Sequence, residues 1–329
     1  MWHHGGMDLQ ALTDLETPWC VHVAATLRIA DHIAAGITEI DRLAAASGAD
    51  RGSLDRMLRH LVSKGLFEQP APGRFALNEA ARALLEEPVR LGLDLNGIGG
   101  RMAHAWGTLL SAVRSGRPAY HEIFGRGFWD DLDAHPDIAA SFDALMGPAG
   151  HGAPDPHVLI DPADWESVRT VVDVGGGTGS LLAAILRMRP GVRGTLVDLP
   201  RAVARSGEVF RAAGVADRVT AVAQSFFDPL PGGGDLYILK NVLGDWPDRE
   251  ATAILRRCAE AARPSGRVVV FTGRGQGEEA SPELLMMVLV GGRGRTLDEF
   301  RAMARDAGLE VTAAGRQPSG RAIAECRPA

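Results

Sequence analysis

Four glycines follow a short apolar run that ends in an acid: Val171, Val172, Asp173, Val174, then Gly175, Gly176, Gly177, Thr178 and Gly179. Glycines in such numbers let a backbone fold tightly against a ligand. The run from Ser180 through Leu181, Leu182 and Ile185 starts a helix whose free N–H groups point at that turn. Strand, tight turn and helix in this order open a nucleotide-binding α/β unit. A second acid, Asp198, closes the apolar pair Leu196-Val197 nineteen residues beyond Gly179, where the next parallel strand should end. A carboxylate there can accept both hydroxyls of a ribose. No lysine followed by serine or threonine comes after the glycines, so this is not a P-loop nucleotidase; a dinucleotide or a nucleoside cofactor remains.

The elements around this unit alternate. After it come apolar runs at residues 219–223 and 235–240, a helical stretch at 249–262 and the run Val268-Val269-Val270-Phe271. Strands alternating with helices predict a parallel sheet covered on both faces. Residues 309–312 and 321–325 lie close enough to pair as a hairpin through 315–320, adding an antiparallel edge strand. The first hundred residues read differently. Apolar residues recur on a helical period from residue 15 to residue 35, with Gly36 as a stop. A helix from Ser53 to Gly65 follows, then a hairpin of residues 66–69 and 74–77. Helix, turn, helix, hairpin is the order of a winged helix. DNA binding would need a basic footprint. Asp50, Asp55 and Glu68 interrupt it, so the excess apolar surface of the first helix points to dimerisation.

With 329 residues the chain is long enough for two domains; 46% are hydrophobic and 23% charged, the balance of a soluble globular protein. A formal net charge of −6 argues against broad binding to nucleic acid or anionic membranes. Three cysteines, far apart, suggest reduced thiols in a cytoplasmic protein, and no histidine or acid cluster has the spacing of a metal site. No run is long enough to span a bilayer, and the N-terminus lacks a signal-peptide layout. Residues 147–169, rich in glycine and proline, predict a linker.

The chain resembles the S-adenosylmethionine-dependent O-methyltransferases of the plant caffeate and hydroxyindole type, whose bacterial members modify aromatic natural products. The resemblance runs through nearly the whole length. It is carried by Ser115-Gly116-Arg117-Pro118, Phe124-Gly125, Phe128-Trp129, Asp173 to Gly179, Phe226 to Pro231, Leu239-Lys240-Asn241-Val242-Leu243, Asp245-Trp246-Pro247-Asp248 and Arg295-Thr296 with Phe300. It implies a Rossmann-like class I methyltransferase sheet in α/β order at residues 161–329, a winged-helix dimerisation domain at 1–100, and substrate-covering helices at 101–160. It implies S-adenosylmethionine as cofactor, a homodimer, and a small aromatic substrate. Asp173 would then bind the cofactor, with Gly175 and Gly177 approaching its methionine part, Asp198 the ribose, Leu199 and Phe226 the adenine faces, and Lys240 the far end of the sulfonium site. Ser225 stands where the family often has an acid for the adenine amino group. Trp106, Phe142, Met146, Asn241, Gly244, Asp245, Trp246 and Met287 would line the substrate site.

The chemistry departs from that pattern. Gly244 replaces the usual histidine base, Thr272 a glutamate at the end of a strand, and Gly294 an acid before Arg295-Thr296. His104, His121, His151 and His157 fall in the stretch expected to face the pocket and are the alternatives for a base. Placing a nucleophile in line with a methyl group can supply up to roughly 7–11 kcal/mol, whereas a general base adds on the order of 10²–10⁴-fold. Methyl transfer to an already acidic hydroxyl or carboxyl therefore survives the loss of the base. The same loss suits a methyltransferase-like protein that binds the cofactor and carries out hydroxylation, cyclisation or a pericyclic step.

Overall fold

The computed structural model describes residues 3–4, 7–151, 154–273 and 283–329. They divide into two compact units, Met1–His104 with Pro136–His151, and Ala105–His135 with Gly152–Ala329.

The first unit is helical. The apolar stripe predicted as one helix at 15–35 is two, Glu16–Thr26 and Ile29–Ala34, because Arg28 takes a left-handed backbone (φ 55°) and its guanidinium reaches Asp31 at 2.7 Å. The helix Arg51–Ser63 starts at Asp50, whose carboxylate accepts the Ser53 N–H at 2.8 Å, satisfying a donor that the first turn leaves free. The hairpin strands are Glu68–Ala71 and Arg74–Ala76, shifted from the expected 66–69 because Leu66 and the buried Phe67 pack against the helical core instead.

The second unit holds a seven-stranded sheet: β1 (Thr170–Val174), β2 (Arg193–Asp198), β3 (Val219–Ala223), β4 (Leu236–Leu239), β5 (Arg267–Gly273), β6 (Leu309–Arg316) and β7 (Ala322–Pro328), in the order β6-β7-β5-β4-β1-β2-β3. Strands β1 to β5 are parallel. The expected single antiparallel edge strand is corrected: the hairpin contributes two strands, and β7 inserts between β5 and β6, antiparallel to both. Alternate residues of the central strands feed separate cores. Val171, Leu196, Leu236, Ile238 and Val269 pack with the helix Ser180–Met188. Val172, Val197, Tyr237, Val268 and Val270 pack with Asp248–Ala261 and Leu297–Asp306. Burial on both faces is why these strands read as unbroken apolar runs.

The predicted linker is partly structured. Pro148–His151 is a helical turn and Pro162–Ser167 a 3₁₀ helix started by Asp161. Between them the Ile160 N–H donates to Glu325 of β7 at 2.6 Å, and Glu325 accepts Arg267 of β5 at 3.0 Å. Arg267 also reaches Asp164, so the entry segment is pinned to the sheet by a mostly buried charge network.

Candidate functional site

The carboxyl ends of β1, β2 and β4 bring the glycine turn and its acids together. Gly175, Gly177 and Gly179 all have positive φ (69°, 61° and 83°). A Cβ on Gly175 would stand 2.7 Å from Val242 Cγ2, and one on Gly176 2.5 Å from the Asp173 carboxyl carbon. Glycine is therefore required here for conformation and for close packing. Asp198 is tied to the turn: one oxygen accepts the Gly177 N–H at 2.7 Å, the other the Leu199 N–H at 2.7 Å. Each oxygen keeps a second lone pair, the arrangement a ribose diol needs. Burial raises the carboxyl above its ordinary value, against those two amide bonds.

Asp173 is 1% exposed, and its Oδ2 has no hydrogen-bond partner. Its pKa is raised to about 7 by burial; Lys240 opposes the shift and Asp198 adds to it. Lys240, at the end of β4, is pushed down by its own burial and by Arg321, while Asp173 supports its charge. Arg321 enters from the start of β7 and donates to Asn241 Oδ1 at 2.9 Å. Asn241 holds a left-handed backbone, φ 56°, a conformation that asparagine tolerates better than most residues. A buried, orphaned carboxylate oxygen beside a partly desolvated lysine fits a ligand carrying both an ammonium and a carboxylate. At Gly175 and Gly176 the turn leaves no room for a side chain.

Aromatic rings border the turn on its other side. Phe226 lies edge-on to Phe227 (5.1 Å) and to Trp246 (5.9 Å), and Trp246 is edge-on to Phe227 (5.0 Å) and stacked on Trp129 (6.2 Å, 19°). Trp246, expected on the substrate side, thus stands against Phe226, the residue expected on an adenine face. The Ser225 hydroxyl accepts the Phe227 N–H at 3.2 Å, so it shapes its own turn.

The turn that carries Gly244 and Asp245 is the 3₁₀ helix Leu243–Asp245. It is held from outside by Arg295, whose guanidinium donates to the Leu243 carbonyl at 2.7 Å, the Trp246 carbonyl at 2.8 Å and Asp248 at 3.0 Å. Gly292 lies on its back: a Cβ there would be 2.0 Å from the Gly244 carbonyl oxygen. On the front, a Cβ on Gly244 would meet nothing within 4 Å. Among the described residues the Asp245 side chain makes no hydrogen bond; desolvation, then the charge of Glu283, raises its pKa to about 7. The helix Leu284–Leu289 that carries Met287 packs against the turn Trp106–Thr108 and the helix Leu109–Ser115, which gathers Trp106 and Met287 in one region of the second unit. Trp106 is 43% exposed. Phe142 and Met146 lie on the helix Pro136–Met146 of the other unit.

The histidines divide. His157 is exposed and bonded to Asp155 at 2.8 Å, His104 packs on Trp19 (5.0 Å) in the first unit, and His121 is exposed. The side chains of His151 and Thr272 lie outside the described residues. Glu283, Arg295 and Arg321 were not singled out from the sequence as site residues. Arg295 alone had a signal there, its place in the Arg295-Thr296 pair.

Comparison with known proteins agrees with this geometry. The O-methyltransferase domain matches residues 106–310, and the O-methyltransferase dimerisation domain matches residues 10–87. The chain is 43% identical, over 93% of its length and 93% of the relative's, to 2,7-dihydroxy-5-methyl-1-naphthoate 7-O-methyltransferase of Streptomyces carzinostaticus. It is 40% identical, over 92% of its length and 84% of the relative's, to aclacinomycin 10-hydroxylase RdmB of Streptomyces purpurascens. Among solved structures, the neocarzinostatin O-methyltransferase NcsB1, crystallised with S-adenosylmethionine and 2-hydroxy-5-methyl naphthoic acid, superposes with a TM-score of 0.89 at 40% identity, covering 99% of this chain and all of that one. The chain belongs to the S-adenosylmethionine-dependent O-methyltransferases. Its sheet and helices are the class I methyltransferase fold, preceded by a dimerisation domain.

Proposed function

We propose that this protein methylates an acidic hydroxyl or carboxyl on an aromatic polyketide-type natural-product intermediate, by proximity and orientation and without a histidine base. The observations that support this reading are the open space at Gly244 and the glycine turn tied to Asp198. Asp173, Gly175, Gly177 and Lys240 hold the amino-acid end of the cofactor, Asp198 the ribose, and Leu199, Phe226 and Ser225 the adenine. Bound S-adenosylmethionine supplies an electrophilic methyl group on a sulfonium. The residues of the chain orient the acceptor oxygen toward it and exclude water, with Trp106, Asn241, Gly244, Asp245 and Met287 of the second unit lining the acceptor site. The naphthoate specificity of the 43% identical relative supports an aromatic acid as substrate. The dimerisation-domain match supports a homodimer.

A second reading has an observation of its own. The relative at 40% identity is named as a hydroxylase, so a cofactor-binding protein that moves no methyl group and carries out hydroxylation, cyclisation or a pericyclic step is the alternative. Incubation with methyl-labelled S-adenosylmethionine and a panel of acidic phenols, salicylate-like acids and aromatic polyketides decides between them, with Gly244→His in parallel. Label on product from the native chain supports methylation. Label from Gly244→His alone assigns the native site to the other chemistry. The histidine has room, since nothing lies within 4 Å of its Cβ position.

A further inference from the structure

Gly294 is a glycine whose missing side chain is occupied by another residue. A Cβ on it would stand 2.8 Å and 2.9 Å from the two carboxylate oxygens of Glu283, which enters from the start of the helix Leu284–Leu289. Two residues earlier, Gly292 lets the same segment lie directly on Gly244 and Asp245. The result is that one short segment, Gly292 to Gly294, lies against Asp245 at one end and against the Glu283 carboxylate at the other. Neither carboxylate has a hydrogen-bond or ion-pair partner among the described residues. The cations of the neighbourhood are engaged elsewhere: Arg293 on Asp248 (2.9 Å) and Glu299 (2.8 Å), Arg295 on Asp248 and two backbone carbonyls. Glu283 is the charged group that bears on Asp245.

The charge of Glu283 disfavours the ionised form of Asp245, so the two carboxyls are coupled where a proton is to be accepted. We propose that Asp245 and Glu283 together accept the hydroxyl proton of the substrate, standing in for the base that Gly244 cannot supply. This rests on the methylation reading above. The substrate O–H bond breaks, its electron pair stays on oxygen and forms the new O–CH₃ bond, and the sulfonium S–CH₃ bond breaks with its pair returning to sulfur. The proton rests on the carboxyl pair and leaves to water through Glu283, which is exposed. The pair would let this protein use hydroxyls too weakly acidic to react unaided.

The test uses substituted 2-naphthols that span a wide range of hydroxyl acidity, with native protein, Asp245→Asn and Glu283→Gln. Calorimetry with S-adenosylhomocysteine first checks that each variant still holds the cofactor pocket. With the naphthols bound beside S-adenosylhomocysteine, the naphtholate absorption band reports ionisation in the site without any turnover. The expected result is a naphtholate band in the native protein near neutral pH that weakens in both variants. Methyl transfer should fall on the order of 10²-fold for the least acidic naphthols, with the loss shrinking as acidity rises. A Glu283→Ala, Gly294→Glu double variant should recover activity relative to Glu283→Ala, because the carboxylate returns to the same space from the other side. An unchanged band, or an equal loss across all naphthols, overturns the proposal and leaves methylation standing. No methyl transfer by the native chain overturns the methylation reading, and the naphtholate band then judges the carboxyl pair by itself.

Discussion

The glycines of the turn separate two costs that act on one residue. Gly177 has positive φ and open space around it, so Gly177→Ala should lose about 1–2 kcal/mol of stability from backbone conformation alone. Gly175 adds an overlap with Val242 at 2.7 Å. Gly175→Ala should therefore destabilise more and abolish cofactor binding, checked by denaturant unfolding and by calorimetry with S-adenosylhomocysteine. Asp173 offers a test in pH. Its folded value of about 7 lies above the ordinary 3.8, so the native state holds the proton more tightly than the unfolded chain does. The contribution of this group to the stability of the cofactor-free protein should be undiminished below about pH 4, fall as pH rises from about 4 to about 7, and change little above that. Asp173→Asn should therefore gain stability of a few kcal/mol at most above pH 7 and little near pH 4, read as the difference between the two melting curves across pH. The same variant should weaken cofactor binding. An aspartate kept at a cost to stability is one whose charge is used by a ligand.

Among the elements, the turn Leu243–Asp245 packs against the helix Asp248–Ala261 and β5 and is gripped in addition by Arg295. That guanidinium makes three bonds to the turn and its flanks, and its side chain is 5% exposed. Arg295→Lys cannot reproduce a planar fork spanning two carbonyls and a carboxylate. It should lower kcat/KM at least tenfold while leaving S-adenosylhomocysteine affinity within a few-fold, because the glycine turn is held by Asp198 instead. A large loss of cofactor affinity would place Arg295 in support of the whole site. The segment entering the sheet depends on another arginine. Arg267→Met strands Glu325, which is 3% exposed, and should cost about 3–5 kcal/mol of stability, since removing one member of a buried ion pair leaves the other charge uncompensated. Glu325→Gln should cost less, because the amide oxygen can still accept from Arg267 and from the Ile160 N–H.

For the whole molecule, the match of residues 10–87 to a dimerisation domain meets a run of exposed apolar side chains at its start, with Leu12 66% and Leu15 75% exposed. Paired copies would cover such residues. Light scattering should give twice the chain mass of 34.9 kDa for the native protein and a shift toward a single chain for the Leu12→Asp, Leu15→Asp pair. A native mass of one chain at micromolar concentration would exclude the homodimer. Among the described residues no helix is long and apolar enough to cross a membrane.

By itself the sequence determined what depends on local pattern. Apolar runs placed the central strands β1, β4 and β5 and the turn between β1 and its helix, because burial on both faces of a parallel sheet leaves few polar positions to blur them. The two acids Asp173 and Asp198 were legible from the same runs, Asp198 ending its strand and Asp173 standing one residue before the end of its own. The break at Arg28 was not legible, since a left-handed residue inside an apolar stripe leaves the period almost unchanged. Nor was the insertion of β7 between β5 and β6, because pairing order is a choice among edges that the strand's own residues do not specify. Tertiary structure alone decided that Glu283 fills the space at Gly294, that Arg295 grips the turn at Leu243 and Trp246, and that Arg321 reaches Asn241. These partners meet because loops from separate strands converge at one end of the sheet. Residue periodicity records which side chains are buried and carries no information about which of them meet.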